Sequence, residues 1–424
     1  MSDKMRILWH INNMVPLGGN KSSIVNEGWI SGLAMELVKR DDVELIVCYG
    51  QCYSNELQDS LIGKIRAIGY FNDNVEVYHE ELSETLAEIL DEVKPDVVHI
   101  MGSEYPHSLS MYYACEKLGI ESKALVSLQG VLYEYAKVYD YAIAPKYIRK
   151  KTIRDIQFKR RSIFEEKQDF ERRGEYEKEL FSKDITFLGR TSWDEACVRN
   201  INIEAKYRHS DEILRKSFYE NRWSIEKCER KSIFISQATY PIKGFHLFLQ
   251  AIPELIKRFP DTRIYVAGRN PLVYHTKRIN MGAYERYCYS LMLRAKATKN
   301  IVFLGPLEEN DMVRQYLNSN VFVSPSVIEN SCNSVGEAMI MGVPTISSLV
   351  GGISTLIEDS VDGYTYALDR GDVLVDRICQ IFADDQLAIE LSEEATKKAQ
   401  KLHNRVEIVT NLIEIYKEIS SNEK

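Results

Sequence analysis

The sequence predicts an α/β protein built from two doubly wound domains, each a mainly parallel sheet with helices on both faces. Three observations carry this expectation. At 424 residues the chain exceeds one ordinary core and suits two domains of about 200 residues each. Short apolar strand patterns alternate with helical ones, as parallel strands joined by helical crossovers require. The alternation lapses once, after Arg190, and then starts again.

In chain order, Arg6 to Ile11 reads as the first strand and Ile24 to Lys39 as a long helix. The loop between them, MVPLGGNKSS, carries Gly18-Gly19 at the carboxyl end of a strand, where α/β sheets take ligands. A glycine pair lets a ligand approach the backbone, although a plain turn explains it equally, and the G-x-G-x-x-G dinucleotide spacing is absent. Further strands are expected at Val43 to Tyr49, Val75 to Tyr78, Asp96 to Met101, Lys123 to Leu128 and Asp184 to Leu188, with a helix at Leu82 to Val93. Polar residues cluster at several strand ends: His99, Ser103, Glu104 and His107; Gln129-Gly130; and Arg190 with Asp194. Singly these read as loop residues, and together they line one mouth.

From Pro145 to Lys183 the composition becomes highly charged, with 12 basic and 7 acidic residues between Lys146 and Lys178, the basic ones concentrated before Glu165. Ile153, Ile156, Ile163 and Phe164 recur at helical spacing, which predicts a long amphipathic helix or helical pair inserted at about 145–183. Two readings fit. The segment docks on an anionic membrane surface that carries a lipid-linked acceptor, or it is a solvated insertion whose apolar stripe packs on its own domain. The first domain is expected over 1–205 and a connection over 206–231, since Ile203 to Lys231 has no clear strand.

The second domain, 232–402, reads as strand Ile233 to Ser236, helix Gly244 to Arg258, strand Arg263 to Ala267, helix Ala283 to Ala297, strand Ile301 to Gly305 and helix Glu309 to Ser319. The tail is helical from about Ala388 to Ile419. Between them lies VFVSPSVIENSCNSVGEAMIMGVPTISSLVGG, Val321 to Gly352. Asn320 to Ser324 is a buried strand ended by Pro325, Ser334 to Met341 a short helix capped by Gly342, and Thr345 to Ser347 the next strand. Glu329 falls in the loop and Glu337 in the first helical turn, so both face the sheet mouth. Ser334 and Glu337 also fit a capping box. The amides of Cys332, Asn333 and Ser334 at the helix start, with the Gly351-Gly352 turn, can surround a phosphorylated ligand.

Two glutamates eight positions apart in this setting resemble the signature of retaining glycosyltransferases of family 4, and SLQGVLYEYAKVYD with FLGRTSWDEA resembles a bacterial surface-polysaccharide subgroup. The resemblance covers most of the chain and is strongest from Phe187 to Gly363. It implies a GT-B architecture: two Rossmann-like domains facing a cleft, the second binding a nucleotide-sugar, the first an acceptor, and the last helix, 403–424, returning to the first domain. It also implies roles. Lys243 would touch the donor phosphates, Glu329 the donor sugar and its developing charge, Glu337 the ribose, the amides of Asn333 and Ser334 the diphosphate, and Leu307 the base, for which uridine is expected. Gly18, Gly19, Glu104, His107, Gln129 and Gly130 would fall on the acceptor side. The family places an arginine shortly before its lysine, where this chain has Gln237-Ala238, so Arg190 and Arg269 are candidate replacements. Gln129 stands where many relatives have histidine and cannot act as a general base.

Composition narrows the partners. A formal charge of −8 and a pI near 5.7 argue against a nucleic-acid footprint. No Asp-X-Asp occurs, and no metal or cofactor beyond the nucleotide-sugar itself is implied. Eight cysteines without a C-x-x-C pair read as free thiols in a reducing cytosol. The amino terminus shows no signal-peptide core and no apolar run reaches the ~18 residues of a membrane span, so the expected location is cytoplasmic, peripheral at the inner membrane face on the docking reading. The rival readings are a catalytically silent glycan-binding or partner-stabilising protein, and a sugar-nucleotide epimerase or hydrolase on the same architecture.

Overall fold

The computed structural model describes residues 4–12, 28–54, 56–268 and 281–421. The chain forms two compact α/β units: Met1–Glu134, Glu171–Arg215 and His403–Lys424 make the first, Tyr135–Phe170 and Lys216–Leu402 the second.

Among the described residues the first unit holds eight strands, β1 (Met5–Ile11), β2 (Val43–Gln51), β3 (Gln58–Ile62), β4 (Ile65–Phe71), β5 (Val97–Met101), β6 (Ala124–Ser127), β7 (Thr186–Gly189) and β8 (Lys206–His209), in the order β3-β4-β2-β1-β5-β6-β7-β8. Every ladder is parallel except that of β3 with β4. Central strands are mainly apolar because both faces are covered; β5, VVHIM, is buried at all its positions, His99 included. On one face lies the helix Leu82–Val93, whose Leu82, Leu86, Ile89, Leu90 and Val93 recur at helical spacing. On the other, Ile30, Leu33 and Leu37 of the helix Gly28–Leu37 meet Ile408, Leu412 and Tyr416 of the helix Arg405–Ser420. Trp9 Nε1 donates to the Tyr416 hydroxyl at 3.0 Å, and His99 Nδ1 lies 2.6 Å from the same oxygen. The carboxyl-terminal helix therefore completes this core.

Several elements differ from the sequence reading. Val75 to Tyr78 is not a strand: Asn74 turns the chain, its side-chain oxygen accepting from Glu76 N–H and its carbonyl from Val77 N–H. The strand pattern belongs instead to a hairpin, β3–β4, in which Ile62 pairs with Ile65 across Gly63-Lys64. β8 falls in the presumed connection; its sequence, KYRH, is polar because it is an edge strand paired with β7 alone. The charged insertion breaks into helices Pro145–Ile148, Ile153–Gln157 and Ile163–Phe181. Its part up to Phe170 belongs to the second unit, not the first, because Ala142 and Tyr141 carbonyls accept from Tyr287 and His246, Asp155 accepts from Ala283 N–H, and the Tyr147 and Tyr287 rings lie 5.0 Å apart.

The second unit holds β9 (Glu229–Ile235), β10 (Arg263–Ala267), β11 (Ile301–Gly305), β12 (Ser319–Ser324), β13 (Thr345–Ser348) and β14 (Tyr364–Tyr366), in the order β11-β10-β9-β12-β13-β14 and all parallel. The expected helix Gly244 to Arg258 is two, Phe245–Ala251 and Pro253–Arg258, since Pro253 has no N–H to continue the first. Strand order reverses between β9 and β12 here, and between β1 and β5 in the first unit. Loops leaving the carboxyl ends of strands at such reversals form the crevice in which α/β sheets bind ligands.

Candidate active site

In the second unit the two strands at the reversal each lead into a short loop. β9 runs to the turn Pro241–Lys243, and β12, stopped by Pro325, runs to the helix Asn333–Met341. Val327 N–H donates to the Ile242 carbonyl at 2.8 Å and joins the loops. Gly244 has a φ of 66°, and a Cβ there would lie 1.7 Å from the Pro325 carbonyl oxygen, so only glycine permits this approach. Lys243 Nζ is consequently 2.6 Å from Glu329 Oε1, to which Ser326 Oγ also donates at 2.7 Å. The Glu329 carbonyl accepts from Gly352 N–H at 3.0 Å, and Gly351, with a φ of 51°, closes the turn against that same oxygen. Asn330 N–H donates to the Tyr135 hydroxyl at 3.0 Å.

The pair is nearly enclosed: the Glu329 side chain is 9% exposed and that of Lys243 21%. Burial opposes the Lys243 ammonium, but the Glu329 carboxylate beside it outweighs that cost and carries its pKa well above the usual lysine value. Lys243 is therefore a fixed cation at the mouth of β9. Burial, reinforced by Glu329, raises the Cys332 thiol pKa, so that side chain is neutral, with its sulfur 3.2 Å from Ser334 Oγ.

Cys332 is the N-cap residue of the helix Asn333–Met341, which Gly342 ends in the left-handed region. The first bonds of the turn run from Val335 and Gly336 N–H to the Cys332 carbonyl, at 3.0 and 3.1 Å. The amides of Asn333 and Ser334 precede that ladder and supply the positive end of the helix. The Ser334–Glu337 capping box does not form, because the helix begins two residues before a Ser334 cap would allow. Glu337 is instead buried in the second turn, its Oε2 3.4 Å from the Tyr316 hydroxyl, which donates to the Ser334 carbonyl at 3.0 Å. Leu307 lies half-buried in the loop after β11. Among the described residues Gln237, near the place of the missing arginine, donates to Thr239 alone. Arg269, Gly18 and Gly19 lie outside the described residues.

The remaining candidates belong to the first unit. Glu104 Oε1 accepts from Gly130 N–H at 2.8 Å. Gln129 Nε2 donates to Glu212 Oε1 at 2.7 Å, and Arg190 Nη1 lies 2.5 Å from Glu212 Oε2. Arg190 Nη2 also donates to the Leu128 and Gln129 carbonyls, both at 3.2 Å. This guanidinium is committed to tying β6 and β7 to Glu212, so it does not serve as the replacement phosphate cation. His107 does not face the mouth either: it is buried, its Nδ1 is 3.3 Å from His10 Nε2, and burial lowers its pKa to about 4. Asp194 closes a capping box with Thr191. Glu177, unmarked within the charged segment, proves central: it accepts from Ser103 Oγ at 2.7 Å and from Tyr133 N–H at 3.2 Å, and burial, with Glu104 adding, raises its pKa to about 8. Among the described residues no group of three or more His, Cys, Asp or Glu side chains is placed to hold a metal ion.

Two doubly wound, mainly parallel-sheet units are the architecture of the GT-B fold, and solved structures of this fold match almost the whole chain. Sucrose-phosphate synthase from Thermosynechococcus elongatus does so with a TM-score of 0.71 at 16% identity, covering 99% of this chain and 100% of that one. Anabaena Alr3699/HepE in complex with UDP-glucose does so with a TM-score of 0.65 at 13% identity, covering 98% and 100%. Residues 229–384, which include Lys243, Glu329 and Glu337, match the family model described as glycosyl transferases group 1. The second unit thus carries a glycosyl transferases group 1 domain. The uncharacterized glycosyltransferase MJ1607 of Methanocaldococcus jannaschii is 24% identical over 193 residues, 46% of either chain. The match spans less than half the length of such curated relatives.

Proposed function

We propose that the protein transfers a sugar, with retention of anomeric configuration, from a nucleotide-diphosphate sugar bound by the second unit to a hydroxyl of a glycan or lipid-linked acceptor bound by the first. The observation that carries this reading is the Lys243–Glu329 pair beside the amino terminus of the helix Asn333–Met341. A diphosphate leaving group needs fixed positive charge as its bond to the sugar breaks, and Lys243 with the amides of Asn333 and Ser334 supplies it. In the empty site Lys243 and Glu329 neutralise each other. When donor binds, the ammonium turns to phosphate and frees Glu329 for the sugar hydroxyls and the positive charge developing at the anomeric carbon. On this reading Glu337, buried beside Tyr316, accepts the ribose hydroxyls. The bond from anomeric carbon to phosphate oxygen breaks, the bond to the acceptor oxygen forms on the same face, and the acceptor proton passes to the departing phosphate; Gln129 has no basic nitrogen to take it. Uridine is the base proposed first, and the neighbour solved with UDP-glucose makes that donor the first to screen.

The test is nucleoside diphosphate release from a panel of nucleotide-sugars in the presence of mixed glycan and lipid-linked acceptors. Glu329→Gln, which keeps an acceptor for Ser326, and Lys243→Ala should each lose at least ~100-fold in turnover, the scale of removing a charge-stabilising group, with circular dichroism confirming the fold. Wild-type turnover in both would sink the proposal.

A further inference from the structure

We propose that residues 149–161 form a docking face for an anionic lipid surface. The inference stands apart from the transferase chemistry, for it uses none of the donor-site residues.

The amphipathic stripe does not pack as a unit. Ile163 is buried at 3% exposure, whereas Ile153, Ile156 and Phe158 are 62%, 66% and 61% exposed. The short helix Ile153–Gln157 is inverted: its charged Arg154 and Asp155 are buried while its isoleucines face out. This exposure is enforced rather than a product of loose structure. Asp155 Oδ2 accepts from Thr152 N–H and Oγ1, both at 2.8 Å, and from Ala283 N–H at 3.2 Å. Arg160 N–H closes the far end onto the Asp155 carbonyl at 2.7 Å, with Lys159 in the left-handed region at a φ of 49°. The apolar side is thereby held away from the body of its unit.

Charge identifies the occupant. Between Lys146 and Arg161 stand eight basic residues and one acidic residue, on a chain whose formal charge is −8. The one acid, Asp155, points inward. Exposed Arg149, Lys150, Lys151, Lys159 and Arg161 flank the apolar triplet, and Lys150 and Lys159 have no acidic partner among the described residues. Apolar side chains that enter the headgroup boundary, ringed by cations that meet lipid phosphates, match an anionic bilayer rather than a soluble polyanion, which would leave the isoleucines in water. Among the described residues no helix is long and apolar enough to cross a membrane, so contact is interfacial.

The experiment is cosedimentation of the full chain with vesicles of phosphatidylglycerol and phosphatidylcholine, against phosphatidylcholine alone, without nucleotide or acceptor. Wild type should favour the anionic vesicles at least about tenfold at low salt and release as salt rises. The triple variant Ile153→Ser, Ile156→Ser, Phe158→Ser should lose pelleting, and Lys150→Glu with Lys159→Glu should lose the anionic preference; all positions are exposed, so the fold persists. Absence of pelleting at low salt, or pelleting of the triple variant like wild type, overturns the proposal. So does self-association without lipid that the triple variant abolishes, which would assign the face to a second copy. No donor is present, so either result leaves the transferase reading to its own test.

Discussion

Lys243 and Glu329 are charges that enclosure alone would disfavour, and each makes the other tolerable. Their positions were legible because both follow apolar strand patterns and precede helix starts. Their pairing was not, because they are 86 residues apart and meet only where Gly244 passes the Pro325 carbonyl. Glu177 was invisible for another reason: nothing in a run of alternating charges marks the one carboxylate that turns inward. Its buried state makes a prediction. Burial raises its folded pKa from the ordinary 4.5 to about 8, so between those values unfolding releases a proton and stability falls as pH rises. Glu177→Gln cannot ionise, and its stability should gain on wild type by about 1 kcal/mol per pH unit across that window. Comparison with the variant matters because His99 and His107, whose pKa values burial lowers to about 3 and about 4, impose the opposite slope on both proteins. Thermal unfolding at about pH 5 and pH 8 checks this; a difference that stays constant would refute the buried-acid assignment.

At the scale of elements, the site is two loops locked together. The strands behind them were legible from apolar runs, while the β3–β4 hairpin and β8 were not: β8 is polar at a sheet edge, and Asn74 turns a β-like tetrapeptide out of the sheet. The lock is the element most open to attack. Gly244→Ala adds a Cβ 1.7 Å from a backbone oxygen at a φ of 66°, and neither group can yield cheaply. It should cost about 2–4 kcal/mol in stability, part the loops and lower nucleotide-sugar binding together with the Lys243–Glu329 contact. Unfolding midpoints with and without nucleotide-sugar measure both effects. An unaltered midpoint and an unaltered ligand response would show that the loops are not locked in this way.

Across the whole molecule, the partition into units was legible in number but not in membership. Residues 135–170 join the second unit through bonds to residues more than a hundred positions away, and local sequence cannot announce them. The helix Arg405–Ser420 shows its apolar spacing, but no local pattern announces which residues of the first unit it meets, the core around Trp9. Ending the chain after Leu402 would strip Ile408, Leu412, Ile413, Ile415, Tyr416 and Ile419 from that core. At ~1.5–3 kcal/mol each, the loss is on the order of 10 kcal/mol, comparable with the whole stability of a typical domain. Limited proteolysis should then digest the first unit, and equal resistance of full and shortened chains would contradict the packing. The central claim, that Lys243 holds the diphosphate of a nucleotide-sugar at the reversal between β9 and β12, is tested most directly by thermal stabilisation across a nucleotide-sugar panel. At least one donor, present at 100 times its dissociation constant, should stabilise the wild type by about 2.7 kcal/mol and leave Lys243→Ala unmoved; stabilisation of neither protein, or of both equally, would contradict it.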